Sequence, residues 1–555
     1  MSNQETKVFG IDLGTTYSCI AHVDEYGKPE VITNEEGERT TPSVILFESP
    51  DNIVVGKVAK ESAVLSPDRV VAMVKRHMGE ENWEFECDGL HYTPEEISSY
   101  ILRKLAKDTE EKLGIPVKDV VITCPAYFGI AEREATANAG KIAGLNVREV
   151  INEPTAAAIV YGLQNEKDQV VLVYDLGGGT FDITVIEIKS GTITVIATGG
   201  DHNLGGKDWD AIIVQYLAEQ WMMETGSSDD PTSSEETLQD LWLRSESAKR
   251  TLSSKQETSV PVTHAGQRKG ITLTREKFNE LTASLLERTI DFTKTTMEEA
   301  RKRGFSHFDQ ILLVGGSTRM PQVQERLKEE FSIPTKVHDP DESVAKGAAI
   351  YAHKLMLDEK IQHKIAEITG TDVAKVDSSS VSERVLEQAQ QQVAQDVGLK
   401  LGTIKKFNEM EVTNVASHSF GIIAVDSRKN AEVIFNLVRV NDPLPAISRQ
   451  TFFTLEAEQE MVDIRIMENS FSTHTVDDIE AGEKIGEAEL HLPPRLPINA
   501  PIEVTFDLNR EGRLHVTARE PGSNMSIEVT IQTKRGLSEE AVEKAKKRST
   551  HVAIS

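Results

Sequence analysis

Two stretches of this chain repeat one unusual pattern: VFGIDLGTTYSCIAHV near the start and VLVYDLGGGTFDITVIEI in the middle. Each reads as an apolar strand, an aspartate, a glycine-rich turn with threonine, and a second strand. A pattern that returns once at long range points to an internal duplication, in which each half presents a hairpin turn to a shared cleft. The glycines Gly14, Gly177, Gly178 and Gly179 let backbone N–H groups approach a phosphate chain, and Thr15, Thr16 and Thr180 add hydroxyl donors. Asp12 and Asp175 would repel phosphate, so they make sense only with Mg²⁺ between, reached through coordinated water. One such turn alone would be an ordinary hairpin; two matched copies in the same order are hard to explain without a ligand.

LLVGGSTRMP is a third glycine turn, leading from an apolar strand into a helix. Gly315 and Gly316 permit close approach to a nucleotide, and the helix start offers free N–H groups. ESAKRTLS places Glu246, Lys249 and Arg250 on one helical face at i, i+3 and i+4. On its own that run reads as a solvated charged face.

At 555 residues the chain is too long for a single core, and helical patterns over 95–113 and 131–143 alternate with strands such as 118–124, an α/β signature. The 61 basic and 89 acidic residues give a formal charge of −28, which opposes binding to nucleic acid or to an anionic membrane. Cys19, Cys87 and Cys124 have no paired spacing, so neither disulfides nor a zinc site are expected and a reducing compartment is favoured. The start lacks the basic and apolar regions of a signal peptide, and no stretch is long and apolar enough to span a bilayer; the expected location is cytoplasmic.

The α/β texture runs over 1–357 and ends after AKGAAIYAHKLM. Residues 358–410 form a polar connector rich in Gln, Ser and Lys. Ser380 and Glu383 make a capping box, Val381, Val385, Leu386, Ala389, Val393 and Val397 follow at helical spacing, and Gly398 can stop the helix. A disordered tether is the alternative for the part containing the serine run. From 411 to 536 the runs FGIIAV, AEVIFNL, MVDIRIM, IEVTFDL and RLHVTAR read as strands separated by turns. Residues 537–555 leave room for one short helix, which Ser538 can cap.

IDLGTTYSCIA, VITCPAYF, INEPTAAA, YDLGGGTFD, LGGKDWD, SAKRTLS and LVGGSTRMP, in this order, resemble the seventy-kilodalton heat-shock (DnaK-type) chaperones across residues 7–357. The stretch 411–548 resembles the family's peptide-binding region more loosely. The resemblance implies an α/β actin-like two-lobed ATPase domain followed by an all-β sandwich. It also implies ATP hydrolysis that controls capture and release of unfolded or extended polypeptide segments, with ATP/ADP and Mg²⁺ as cofactors and K⁺ as a further cation.

By the same resemblance Lys75 is the catalytic lysine, an ammonium that stabilises the γ-phosphoryl group and helps hold the attacking water. Glu153 and Asp182, with Asp12 and Asp175, place the metal, its waters and the nucleophile, while Thr15, Thr16 and Thr180 contact phosphate. Glu246, Lys249, Arg250 and Ser253 become an adenosine-binding helix, and Gly316, Ser317, Arg319 and Asp341 the remaining nucleoside contacts. Pro125 and Arg133 resemble switch residues between the domains. Phe420, Ile422, Val425, Phe452, Val462 and Ile464 align with the apolar lining of the peptide groove, against the plain alternative that each is sandwich core.

Three departures accompany the resemblance. The connector is long and polar where the family has a short leucine-rich linker, and offers only Phe407, Met410 and Val412 for docking. The helical lid is expected to be almost absent, since only about one short helix fits after Gly536. Glu149 stands where the family commonly has an arginine that contacts J-domain co-chaperones. Weak interdomain coupling and weak stimulation by a generic J-protein follow as expectations; a nucleotide exchange factor is a further implied partner, while nucleic acid and membrane are not. Two rival readings are a co-chaperone whose nucleotide is conformational, which the intact Lys75, Glu153 and Thr180 oppose, and a small-molecule kinase, which the β region opposes.

Overall fold

The computed structural model describes residues 7–164, 167–189, 191–376, 381–510, 512–523, 525–531 and 537–555. The two glycine turns join strands that pair in register. Val8–Asp12 pairs antiparallel with Tyr17–Val23, and Gln169–Leu176 with Phe181–Lys189. Each hairpin is extended in the same way. Asp119–Cys124 and Asn146–Asn152 run parallel on one side of the first, with Pro29–Ile32 on the other. Gln310–Val314 and Thr335–Val337 run parallel on one side of the second, with Thr192–Asp201 on the other. The two sheets therefore share one strand order, and the duplication read from the turns extends to the neighbours of each hairpin.

Two helices, Glu153–Gln164 and Ser343–Thr369, pack between the sheets in a common core that takes Val8 and Val121 from the first and Val171 and Val173 from the second. The approach is close. A Cβ on Gly347 would lie 1.8 Å from the Ala156 carbonyl oxygen, and one on Gly10 2.0 Å from the Ala349 nitrogen. No side chain fits either crossing, so the close packing requires glycine at both.

The helix that begins at Ser343 runs to Thr369, so a boundary at 357 falls inside it. The connector then folds back. The helices Glu383–Asp396 and Leu401–Asn408 bury Ala389, Val393, Ile404 and Phe407 against the same interlobe core. Glu383 opens the first of these, capped by Ser382 without a side-chain bond, while Ser380 lies outside the described residues. Met410 is buried, and Glu411–Thr413 adds a parallel strand to the second sheet with Val412 opposite Ile193. The expectation of a poorly docking connector is thereby corrected. Apolar side chains from both connector helices and backbone pairing to a sheet edge together hold it.

Beyond it, two antiparallel sheets of five and four strands enclose one apolar core of Phe420, Ile464, Val504, Phe506, Val516 and their neighbours. Ile130, from the helix Ile130–Ile142 of the first lobe, belongs to that core. The helix Glu539–Thr550 seats Val542 and Ala545 on Ile142, and Ala553–Ile554 pairs parallel with Asn52–Ile53. Among the described residues no helix is long and apolar enough to cross a membrane.

Candidate functional site

A cavity of about 670 Å³ opens between the two sheets. Its floor is the pair of glycine turns, which meet head on: a Cβ on Gly178 would lie 2.2 Å from Thr16 Oγ1, and one on Gly179 2.3 Å from a Thr15 methyl. Both turns are held from behind. Ser43 Oγ donates to the Gly14 carbonyl at 2.7 Å, and the Gly14 N–H donates to Ser18 Oγ at 3.1 Å. The Gly177 carbonyl accepts from the Gly206 N–H and from Ser317 Oγ, and the Gly178 carbonyl from the Lys207 N–H at 2.8 Å. The Gly179 carbonyl accepts from the Arg76 guanidinium at 2.6 and 2.9 Å. With its carbonyls engaged, the second turn suits an anion, as a cradle of backbone N–H groups.

At one end of the cavity the chain gathers charge out of water. Lys75 and Glu153 form an ion pair whose side chains are 4% and 9% exposed. Asp12 accepts from Thr123 Oγ1 at 3.4 Å, and Asp175 stands across the hairpin from Asp182. Asp182 Oδ1 accepts from the Ala126 N–H at 3.1 Å, while its buried Oδ2 has no hydrogen-bond partner among the described residues. Burial, then the charge of Glu153, pushes Asp12 up to about 7, and the same two causes hold Asp175 and Asp182 well above the usual carboxylate range. Burial alone would lower Lys75, but the attraction of Glu153 and Asp12 outweighs it and the ammonium is held more firmly than usual. Four carboxylates against one ammonium, with an oxygen left unbonded, suit a divalent cation. Among the described residues no three His, Cys, Asp or Glu side chains converge as a direct metal cage.

At the other end lies the helix Glu235–Leu252. Lys60 bridges the lobes, pairing with Glu246 and donating to Tyr17 Oη at 2.9 Å, while Tyr17 Oη donates to Glu246 at 3.0 Å. Burial alone would raise the Glu246 carboxyl; Lys60 and Lys249 outweigh it and hold it low. Lys249 pairs with buried Asp210 at 2.8 Å and donates to the Gly206 carbonyl at 2.7 Å. Arg250 and Ser253 line the same end. Gly315, at φ +80°, sits where a Cβ would come 2.5 Å from Asp175 Oδ1, and Gly316, Ser317, Arg319 and Asp341 complete the wall, the last two as an ion pair.

The cavity thus brings together all the nucleotide and metal candidates except Gly179 and Asp182, which stand behind its surface. Lys60, Arg76, Lys207, Asp210 and Trp242 are parts of this region that sequence reasoning missed; Lys207 and Asp210 stand inside LGGKDWD, the one visible signal. Pro125 is buried beside the Asp182–Ala126 bond, and Arg133 donates to Asn152 and to the carbonyls of Val150 and Phe128.

A model of the Hsp70 family, described as "Hsp70 protein", matches residues 8–379 and 393–554. The chain belongs to the Hsp70 family. Membership supports a chaperone function in general and the binding of nucleotide with Mg²⁺, and Hsp70 proteins are typically ATPases that bind unfolded polypeptides and co-chaperones. The position where this Hsp70 carries Glu149 is occupied from within the chain: Tyr351 Oη, on the long interlobe helix, donates to it at 3.1 Å.

The six groove candidates do not form one lining. Phe420, Ile422 and Ile464 are shut in the core, Phe452 and Val462 are half-buried against it, and Val425 is exposed. The alternation of a strand explains the split, since Phe420 and Ile422 share a face and Val425 points to the other. Exposed apolar residues gather instead where the loops 454–460 and 492–500 are tied by four backbone hydrogen bonds, with Phe453, Leu455, Met461 and Ile498 at the surface.

Proposed function

We propose that this Hsp70 is an ATP-hydrolysing chaperone of the actin-like ATPase type, in which nucleotide state governs the hold of a β-sandwich domain on extended apolar segments. The observation that carries the reading is the joint placement of the facing glycine turns and the Lys75–Glu153 pair in one cavity. The turns bind and align a phosphate chain, with Thr15, Thr16 and Thr180 donating. Lys75, kept charged by Glu153, faces the terminal phosphoryl group and holds the attacking water. A divalent cation held through water by Asp12 and Asp175 would supply charge neutralisation for the phosphates. Glu153, which lines the cavity with its charge offset by Lys75, is the proton acceptor within reach, and Asp182 supports it from behind the cavity surface.

A route to the sandwich supports coupling. Asp182 accepts from Ala126, two residues on the Phe128 carbonyl accepts from Ser417 Oγ at 3.1 Å, and Ile130 enters the sandwich core. The strand Glu411–Thr413 gives a second tie. Phe453, Leu455, Met461 and Ile498, with Phe452 and Val462 beneath, are the proposed peptide contacts. Coupling of about 1–3 kcal/mol would change peptide release roughly 5–150-fold between nucleotide states. The test is release of a labelled apolar peptide from ATP- and ADP-loaded protein, in the parent and in Val412→Pro, which cannot complete the strand pairing. ATP should hasten release in the parent and lose that effect in the variant; equal release rates in ATP and ADP for the parent would refute coupled release.

A further inference from the structure

The charges of the cavity are unevenly spent. Lys75 is neutralised by Glu153, Lys60 by Glu246, Lys249 by Asp210 and Arg319 by Asp341. What remains at the metal end is acidic, namely Asp12 and Asp175. What remains at the nucleoside end is basic. Lys207 has no ion-pair partner among the described residues, yet it is partly buried and lines the cavity, with its ammonium 3.8 Å from the centre of the Trp242 ring. Burial lowers it to about 8, and Lys249 and Lys60 push the same way against Asp210 and Glu246. The charged groups that act most strongly on Lys207, namely Asp210, Glu246, Lys249 and Lys60, belong to the nucleoside end.

Its position is fixed at both ends. The Lys207 N–H is bonded to the Gly178 carbonyl of the second phosphate turn, and the side chain reaches from there to the helix that carries Glu246 and Lys249. It therefore spans the stretch between the phosphate turns and the nucleoside wall, which on the nucleotide reading is where a sugar would lie. An ammonium taken out of water without a counter-charge is costly, and the aromatic face returns only part of that cost. A ligand bearing an anion at this point would return more.

We propose that Lys207, backed by Trp242, is a subsite for a phosphate on the sugar of the bound nucleotide, so that the cleft accepts a nucleoside 5′-polyphosphate with a further phosphate at a 2′ or 3′ hydroxyl. The inference rests on the nucleotide-binding reading above. The asymmetry of the cavity supports it: the surplus acids fit a metal ion at one end and the surplus base fits an anion at the other, so one ligand of matching polarity satisfies both.

The experiment measures competition against a labelled ADP on the full chain, using ADP, adenosine 5′-diphosphate 3′-phosphate and the 2′-phosphate isomer. In the parent at least one derivative should bind as tightly as ADP to within threefold, or tighter. Its affinity relative to ADP should fall threefold or more in Lys207→Ala and stay within threefold of the parent in Lys207→Arg, which keeps the charge. Exclusion of both derivatives from the parent, an unchanged ratio in Lys207→Ala, or an equal loss in the Arg variant would overturn the subsite. Failure of ADP itself to bind would instead refute the nucleotide reading, so the two failures are told apart.

Discussion

The cleft keeps Glu153, Asp175, Asp182 and Lys75 out of water and Asp12 half so, whereas the paired C-terminal sheets bury Phe420, Ile422, Ile464, Phe506 and their apolar neighbours. In the cleft each buried group is costly unless a partner or a ligand answers it, so position is dictated residue by residue. Loss of one partner leaves a charge stranded. In the sheets burial is favourable for any apolar side chain that fits, and neighbouring residues can exchange roles between core and surface with one step along a strand. In the cleft the loss of chemistry should therefore be the larger effect, whereas in the sheets the core residues should fail in folding and only the exposed ones in function.

The largest effect expected is at Lys75. Lys75→Ala should retain ATP binding and slow hydrolysis by at least about 10²-fold, the range lost with one preorganised stabiliser. Hydrolysis at the parent rate, measured in single turnover, would remove Lys75 from the chemistry. The sheets give the opposite pattern. Ile464→Ala, in the core, should cost about 2–5 kcal/mol of stability in denaturant melts, while Leu455→Ser, 59% exposed, should leave stability nearly untouched and weaken peptide binding. Equal destabilisation by both would break the division between core and contact surface.

Smaller effects are expected from the metal end. Asp12→Asn and Asp175→Asn should each raise the Mg²⁺ needed for half-maximal hydrolysis, because each removes one acceptor charge. The sign with pH follows from Asp12, whose pKa is raised to about 7. Its carboxyl is increasingly protonated below that value and ionised above it, so the Mg²⁺ demand should rise as pH falls from 8 to 6. Titrations of both variants that overlay the parent would make the carboxylates structural.

The same contrast explains what could be read from the amino-acid order alone. The glycine turns were legible because their shape excludes side chains: at Gly178 and Gly179 a Cβ would strike Thr16 and Thr15. Lys60 was not, since it is one lysine of a short helix whose partners lie 43 and 186 residues away, Tyr17 on the first hairpin and Glu246 on the helix of the other lobe. Trp242 likewise reads as helix surface until Lys207 is brought beneath it. The strand at Val412 depends on an edge at Ile193 more than two hundred residues away, and nothing local in KKFNEMEV announces it. In the sheets the strands were legible from alternation, but the division of Phe420, Ile422 and Val425 between core and surface depends on register.

The account stands or falls on whether the two regions speak to each other. The direct measurement is single-turnover ATP hydrolysis by the full chain with and without an extended apolar peptide. The account predicts that peptide changes the rate of a reaction that requires Lys75, by roughly 5-fold or more, as a coupling of about 1 kcal/mol or above demands. Hydrolysis that depends on Lys75 but ignores saturating peptide would contradict it, leaving an ATPase and a peptide-binding sandwich joined only by the chain.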